Sequence, residues 1–425
     1  TESQGWDLRG VTIPEFLRKE GALESDEQYT MYHPSEVELA ATTKSILDDV
    51  QKLKPTRVVF DSLSELRLVA GNPLRYRRQI LALKQYFAGR QCTVMLLDDM
   101  TATDHDLHVQ SIAHGVVLLQ HLSPEYGAER RRLRVIKYRG TAFRGGYHDY
   151  LIRKGGLVVF PRLIAAEHRQ DHSARKMPSD VKELDDLLGG GVEEGTSTLI
   201  VGGAGTGKST MSAQFCVAAA KRGQKSIIFM FDESPITLYS RCRGLDIEIE
   251  RQVEAGLITI VQVDPAELSP GELAFMIREA VERDGVKIVV VDSLNGYLNA
   301  MPEERFLTIQ LHELLMYLSQ KGVASLLVGA HHGIIGDKMQ APVDASYLAD
   351  AVILLRYFEA KGEVCQAISV VKKRGGLHER TIREFSMNDG RLRVGDPLRH
   401  FRGVLTGVPV YEGSSEPLMG TERRK

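Results

Sequence analysis

The segment LIVGGAGTGKST, residues 199–210, constrains this chain more than any other. Apolar residues lead into it, and MSAQFCVAAAKRG, with helical spacing and a glycine stop, leads out. A glycine-rich turn between a buried strand and a helix lets backbone N–H groups converge on an anion, and the helix N-terminus adds partial positive charge. Gly202, Gly207, Lys208 and Ser209 satisfy the pattern G-x4-G-K-[ST]. Residues Gly202, Gly203, Ala204, Gly205, Thr206, Gly207, Lys208, Ser209 and Thr210 therefore read as a phosphate loop for a nucleotide. Lys208 is expected to reach the β and γ phosphates, and Ser209 to ligate Mg2+.

Three further apolar runs end in polar residues. KSIIFMFDES (225–234) delivers Asp232 and Glu233, where a carboxylate can orient or deprotonate an attacking water or hydroxyl. Glu233, the longer side chain, is the preferred base; the structural alternative is a solvated strand end or a cap for the helix that follows. KIVVVDSLNGY ends in Asp292, expected to hold Mg2+ indirectly. ASLLVGAHHG ends in His331 and His332, positioned to sense a γ-phosphate; with no third ligand at helical spacing they do not read as a metal site. Strands alternating with helical segments predict an α/β fold with a mostly parallel sheet covered on both faces. Ligands bind such sheets at the carboxyl ends of the strands, so the loop and the carboxylates should meet in one cleft.

The chain also repeats itself. VVFDSLSEL (58–66) matches VVVDSLNGY (289–297), 231 residues on. LRVIKYRG, beginning at 133, matches ISVVKKRG, beginning at 368, 235 residues on at the lysine, and each is followed by a turn and another strand. Two domains follow from this, residues 1–168 and 169–405, with 170–191 as the linker and entry to the second. Residues 406–425, rich in Gly, Pro and Ser with a basic end, read as a flexible tail. Only the second repeat carries a phosphate loop. Repeat arithmetic puts the first repeat's loop lysine about 31 residues ahead of Thr1. The expectation is a longer product with about sixty more N-terminal residues, since a half-domain would leave a buried sheet with an open edge.

Composition narrows the function. A formal charge of −2, from 54 basic and 56 acidic residues, supplies no global attraction to nucleic acid or anionic membrane. One Trp and no basic module interleaved with aromatics argue against a nucleic-acid groove. Cys92, Cys216, Cys242 and Cys365 lack metal-ligand or disulfide spacing and fit a reducing, cytoplasmic setting. No run approaches the ~18 apolar residues of a membrane span.

The order GGAGTGKST, FDES, VVVDSL, KKRGGLH, IREF, within a doubled domain, resembles the KaiC family of the RecA superfamily, whose founding members are two-domain ATPases and autokinases. The resemblance covers the chain to about residue 405, and Lys-x-Arg-Gly with IREF is more specific than the loop. It implies tandem RecA-like domains, a homohexameric double ring with ATP and Mg2+ at subunit interfaces, and a Lys-x-Arg pair acting on the neighbouring subunit's phosphates. That pair maps to Lys372 and Arg374, and in the first repeat to Lys137 and Arg139. A cation supplied in trans would neutralise charge developing on the γ-phosphoryl group; the alternative is surface charge on an edge strand. The family's neighbouring Ser-Thr phosphoacceptor pair maps to Ser346 and Tyr347, so the threonine is lost, and its Glu-Glu pair reads Asp232-Glu233. A KaiB-type partner is implied by resemblance alone.

Other features have structural readings. His105, His108 and His114 read as a polar loop at the sheet edge, and ERRRLR (129–134) as a solvated hairpin leading into a strand. LTIQLHELLMYLSQKG (307–322) carries its apolar stripe at core spacing. The competing functions are a RecA- or helicase-like DNA motor and a nucleotide-gated scaffold with little catalysis.

Overall fold

A computed structural model describes residues 5, 9–14, 34–99, 107–125, 127–169, 175–299, 307–330, 345–360, 362–387, 390–405 and 410–411. The chain forms two compact units: Thr1–Leu118 with Arg134–Gly146 and Ile152–Leu157, and Leu119–Leu133 with Tyr147–Leu151 and Val158–Lys425.

The second unit is built on a nine-stranded sheet. Its order is Ile258–Gln262, Ser226–Met230, Ile288–Asp292, Ala324–Ala330, Ser197–Gly202, Ala351–Ala360, Glu363–Lys373, Arg383–Ser386, Arg393–Pro397. The first six run parallel and the last three pair antiparallel. The runs STLIVG, SIIFM and IVVVD are buried along their whole length, as expected of strands covered on both faces rather than alternating in and out. One face packs against the helix Lys208–Lys221, through Met211, Phe215 and Ala219 among others. The opposite face packs against helices Pro270–Glu282 and Leu307–Gln320. Leu307, Leu311, Leu314 and Leu318 form the buried stripe the spacing predicted.

Helix termini in this unit follow local chemistry. Ser234 and Ser269 each cap a helix whose first residue is proline, accepting the Thr237 and Glu272 amides through their hydroxyl oxygens. Asp149 adds a charged acceptor at the second of these helices, taking the Gly271 N–H at 2.8 Å. Burial pushes its carboxyl above the ordinary range, opposed by that hydrogen bond. Arg130, within ERRRLR, is not a solvated charge: its guanidinium donates to the carbonyls of Pro265, Ala266 and Glu267. The neighbouring Glu129 pairs with His121 and Arg131 on the exposed side. Within the segment read as a tail, Val410–Tyr411 pairs antiparallel with Phe401–Arg402.

The first unit contains helices Pro34–Leu53, Leu63–Ala70 and Pro73–Phe87, and strands Arg57–Phe60 and Thr93–Leu96. Ile46, Phe60, Leu63, Tyr76, Ile80 and Leu83 are buried together. The two strands pair in parallel, Phe60 opposite Leu96. Displaced by 231 residues, this is the pairing of Val291 with Leu327, so the repeat extends to strand register. The Asp61–Ser62 and Asp292–Ser293 peptide bonds are both cis. A four-stranded sheet in chain order, Gly115–Leu122, Arg130–Tyr138, His148–Arg153 and Gly156–Phe160, completes the described strands ahead of residue 170. Among the described residues no helix is long and apolar enough to cross a membrane. His105 and the pair His331–His332 lie outside the described residues, as does the side chain of His108; His114 packs edge-on against Tyr138.

Candidate nucleotide site

The strand Ser197–Gly202 turns into the helix Lys208–Lys221 through a loop that needs glycine at fixed places. Gly205 and Gly207 sit at φ +76° and +94°, the left-handed region where a Cβ clashes with the backbone. Space excludes a side chain as well: a Cβ at Gly207 would fall 2.5 Å from Met387 Sδ, and one at Gly202 would fall 2.6 Å from the Leu355 carbonyl oxygen. Thr206 is buried and its hydroxyl donates to the Gly203 carbonyl at 2.9 Å, closing the loop on itself. Ala204 is exposed, Ser209 is half-buried, and Thr210 is buried with its hydroxyl oxygen unpartnered among the described residues.

Lys208 is a buried ammonium whose Nζ donates to the Gly203 carbonyl at 2.7 Å. Desolvation pulls its pKa down, against the pull of the Asp292 carboxylate, and Arg241 lowers it further. A desolvated cation folded back over a cradle of backbone amides is poised to exchange a carbonyl for a phosphate oxygen.

Asp292 ends the central strand Ile288–Asp292 and is 8 % exposed. Burial drives its pKa up to about 6; the Ser209 hydroxyl bond, Arg241 and Lys208 act to lower it, while the Glu233 charge raises it. Lys208, Ser209, Asp292, Glu233 and Arg241 thus share one electrostatic neighbourhood.

The acidic pair at 232–233 divides. Asp232 accepts the Ser293 hydroxyl, which itself accepts the Gly296 N–H at 3.0 Å. A Cβ at Gly296 would stand 2.7 Å from Asp232 Oδ1, so this carboxylate is closely engaged at the start of helix Leu294–Asn299. Glu233 instead forms a two-point pair with Arg241, its Oε1 taking Nη2 at 2.6 Å and its Oε2 taking Nη1 at 3.0 Å. Arg241 escaped the sequence reading. Its only signal was a basic residue two turns into the helix capped by Ser234, where helical side chains lean back toward the N-terminus.

The Lys-x-Arg pairs bond within their own chain. Lys372 donates to the carbonyls of Ser346 and Ala349 at 2.7 and 2.8 Å, and Arg374 donates to the Tyr347 carbonyl at 2.8 Å and to Asp350 at 3.3 Å. Ser346 is exposed, on the short turn Ala345–Tyr347. In the first unit Lys137 donates to the Gln110 and Ser111 carbonyls at 2.6 and 3.2 Å, and Arg139 to Ser111 at 2.9 Å. The Arg139 backbone N–H bonds to the His114 carbonyl as the Arg374 N–H does to that of Asp350, so Gln110–Ser111 corresponds to Ser346–Tyr347 and both pairs grip the same stretch of the fold.

The residues suit a divalent cation beside a nucleotide. Ser209 hydroxyl and Asp292 carboxylate are hard oxygen donors in contact with one another, and a buried acid with a raised proton affinity is one that a cation would neutralise. The glycine cradle and the buried Thr210 hydroxyl add space and polarity for phosphate.

Comparison with known proteins agrees with this geometry. The family model described as the KaiC ATPase matches twice, over residues 1–164 and 177–399. The circadian clock protein KaiC3 of a Synechocystis species is 26% identical over 386 residues, covering 90% of this chain and 76% of the relative. The circadian clock oscillator protein KaiC of Acaryochloris marina is 25% identical, covering 96% and 78%, and that of Synechococcus elongatus is 26% identical, covering 88% and 72%. With a family model matching nearly its whole length in two tandem copies, the chain belongs to the KaiC family of ATPases, built from RecA-like domains.

Proposed function

We propose that this protein is an ATP-hydrolysing ring protein whose working site lies in the second repeat, and that it phosphorylates itself as part of a clock-like signalling switch. The observation that carries the reading is the gathering of Lys208, Ser209, Asp292 and Glu233 at one end of the sheet. In this mechanism the loop amides and Lys208 hold the β and γ phosphates of ATP. Ser209 and Asp292 would hold Mg2+, directly and indirectly, and the metal when bound supplies charge neutralisation for the phosphates. Glu233 accepts a proton from water as the water oxygen bonds to Pγ; the Pγ–O bond to ADP breaks, and its electron pair leaves on the β-phosphate oxygen. With the Ser346 hydroxyl as nucleophile in place of water, the same transfer yields phosphoserine. Asp232, tied to Ser293, supports the strand end in this scheme and is not the base.

Lys372 and Arg374 would complete the neighbouring subunit's site in a homohexamer, with Lys137 and Arg139 as first-ring counterparts. The in-chain bonds to carbonyls at 346–349 must then be exchanged for phosphate contacts on assembly. A KaiB-like protein is the proposed partner, the setting is cytoplasmic, and neither nucleic acid nor membrane takes part.

The test is steady-state ATPase of the purified full chain with Mg2+, beside Glu233→Gln, followed by phosphopeptide mass spectrometry. The variant should bind Mg-ATP and lose about 100-fold or more in kcat, and phosphate should appear on Ser346 only in the parent. Hydrolysis by the variant at the parent rate would remove Glu233 from the mechanism. A parent that hydrolyses ATP with Ser346 unmodified would leave an ATPase that is not an autokinase.

A further inference from the structure

Arg241 is a basic side chain in the candidate site to which the loop, metal and base assignments give no task. It lies on the helix Pro235–Arg243, flanked by Leu238 and Cys242, both buried, which fix the helix against the core. From that platform the guanidinium reaches back past the Ser234 cap and takes one oxygen of Glu233 on each terminal nitrogen, at 2.6 and 3.0 Å. The pair is half-buried, with 34 % of the Arg241 and 23 % of the Glu233 side chain exposed. Arg241 Nε is buried without a partner among the described residues, although the two terminal nitrogens are well used. Its charge is also felt at Asp292 and at Lys208, so it stands beside the phosphate and metal groups rather than out on the surface.

We infer that Arg241 is a positioning residue for ATP hydrolysis, holding the Glu233 carboxylate in one orientation toward the nucleophile through a two-point guanidinium grip. The inference rests on the reading of Glu233 as the base. A glutamate at a strand end has three free torsions, and a single contact would leave the carboxylate free to swivel. A planar fork bonded to both oxygens fixes the carboxylate plane, which a lysine point charge cannot do. The grip does not block the base: a carboxylate has about four lone-pair sites, and the fork uses two. What remains faces away from Arg241 and can take a proton from water. A helix-capping or surface ion pair needs no such arrangement, because Ser234 already caps this helix.

The experiment is a double-mutant cycle on the full chain, with kcat and KM for Mg-ATP measured for Arg241→Ala, Glu233→Gln and the two combined. Arg241→Lys and Arg241→Gln are added as conservative variants. Loss of orientation should cut kcat in Arg241→Ala by about 10- to 100-fold with KM changed by less than about 3-fold. Arg241→Lys and Arg241→Gln, each keeping one donor nitrogen in place of the fork, should fall between Arg241→Ala and the parent. In the Glu233→Gln background, Arg241→Ala should lower kcat by less than about 2-fold, because a grip on a base that no longer accepts protons has nothing left to orient. Full kcat in Arg241→Ala, or losses that multiply in the double variant, would overturn the inference while leaving Glu233 as base. A parent-like rate in Glu233→Gln would overturn both. Should Arg241→Ala fail to bind Mg-ATP, the Lys and Gln variants decide: parent-like kcat in both refutes the positioning role.

Discussion

Replacing Asp292 with Asn should stabilise the nucleotide-free protein while weakening its response to Mg-ATP. The carboxyl is nine-tenths buried and its pKa rises from an ordinary 3.8 to about 6. The native state therefore holds more protons than the unfolded chain between those values, and this group's contribution to stability falls as pH rises. The cost of keeping it ionised at pH 7.5 is about 3 kcal/mol, at 1.36 kcal/mol per pKa unit, and about half of that is already present at pH 5. Asparagine removes the charge and can still accept the Ser209 hydroxyl, but it brings an amide whose donors cost about 1–2 kcal/mol if unpaired. The net gain is about 1–2 kcal/mol, or roughly 3–6 °C in Tm for a unit of this size.

Thermal unfolding of parent and Asp292→Asn, without nucleotide and with saturating Mg-ATP, checks both halves at pH 5 and 7.5. Without nucleotide the variant should melt higher, and its advantage should be larger at pH 7.5. Asp149, Asp185 and Glu384 are also raised by burial, so the parent's pH dependence alone is not diagnostic; the difference between the two proteins is. With ligand at about 100 times its Kd the parent gains about 2.7 kcal/mol, and the variant should lose the metal-linked share of that gain. A variant that melts lower than the parent at pH 7.5 without nucleotide would refute the argument, since Asp292 would then be a net structural contributor.

Two further substitutions probe the frame around the site. Gly207→Ala places a Cβ at φ +94° and 2.5 Å from Met387 Sδ, so it should cost about 1–2 kcal/mol from the backbone alone and abolish the Mg-ATP thermal shift. Gly223→Ala, at φ +75° with no neighbour within 4 Å, should keep that shift and serves as its control. Lys373 is 6 % exposed, paired to Glu193 at 3.1 Å and bonded to the Leu188 carbonyl at 2.5 Å. Lys373→Met should lower stability in urea unfolding by about 3–5 kcal/mol by stranding a buried carboxylate, and adding Glu193→Gln should recover much of the loss.

What could be read in advance and what could not divide along a physical line. A phosphate loop needs glycine at fixed places between a strand and a helix, so its residues announce it, and Gly205 and Gly207 adopt the positive φ that the motif demands. Strand burial is equally local: IVVVD is continuous because both of its faces are covered. The repeat carried further still, since matching Asp-Ser strands implied matching register, and Phe60–Leu96 and Val291–Leu327 have it. Partners of charged side chains are another matter. Asp232 and Glu233 differ in sequence only by a methylene, yet one is engaged by a hydroxyl 61 residues away and the other by a guanidinium eight residues away. Arg130 reads as a solvated charge and Lys372 as a cation for a neighbouring subunit because nothing in their neighbourhood in sequence tells of the carbonyls they meet. Periodicity says which side of an element a residue faces; it carries no information about which distant atom the topology brings there. The assignment of roles within the acidic pair therefore turns on Arg241 and Ser293, and exchanging those two partners, rather than the acids, is the change that would most directly exchange the roles.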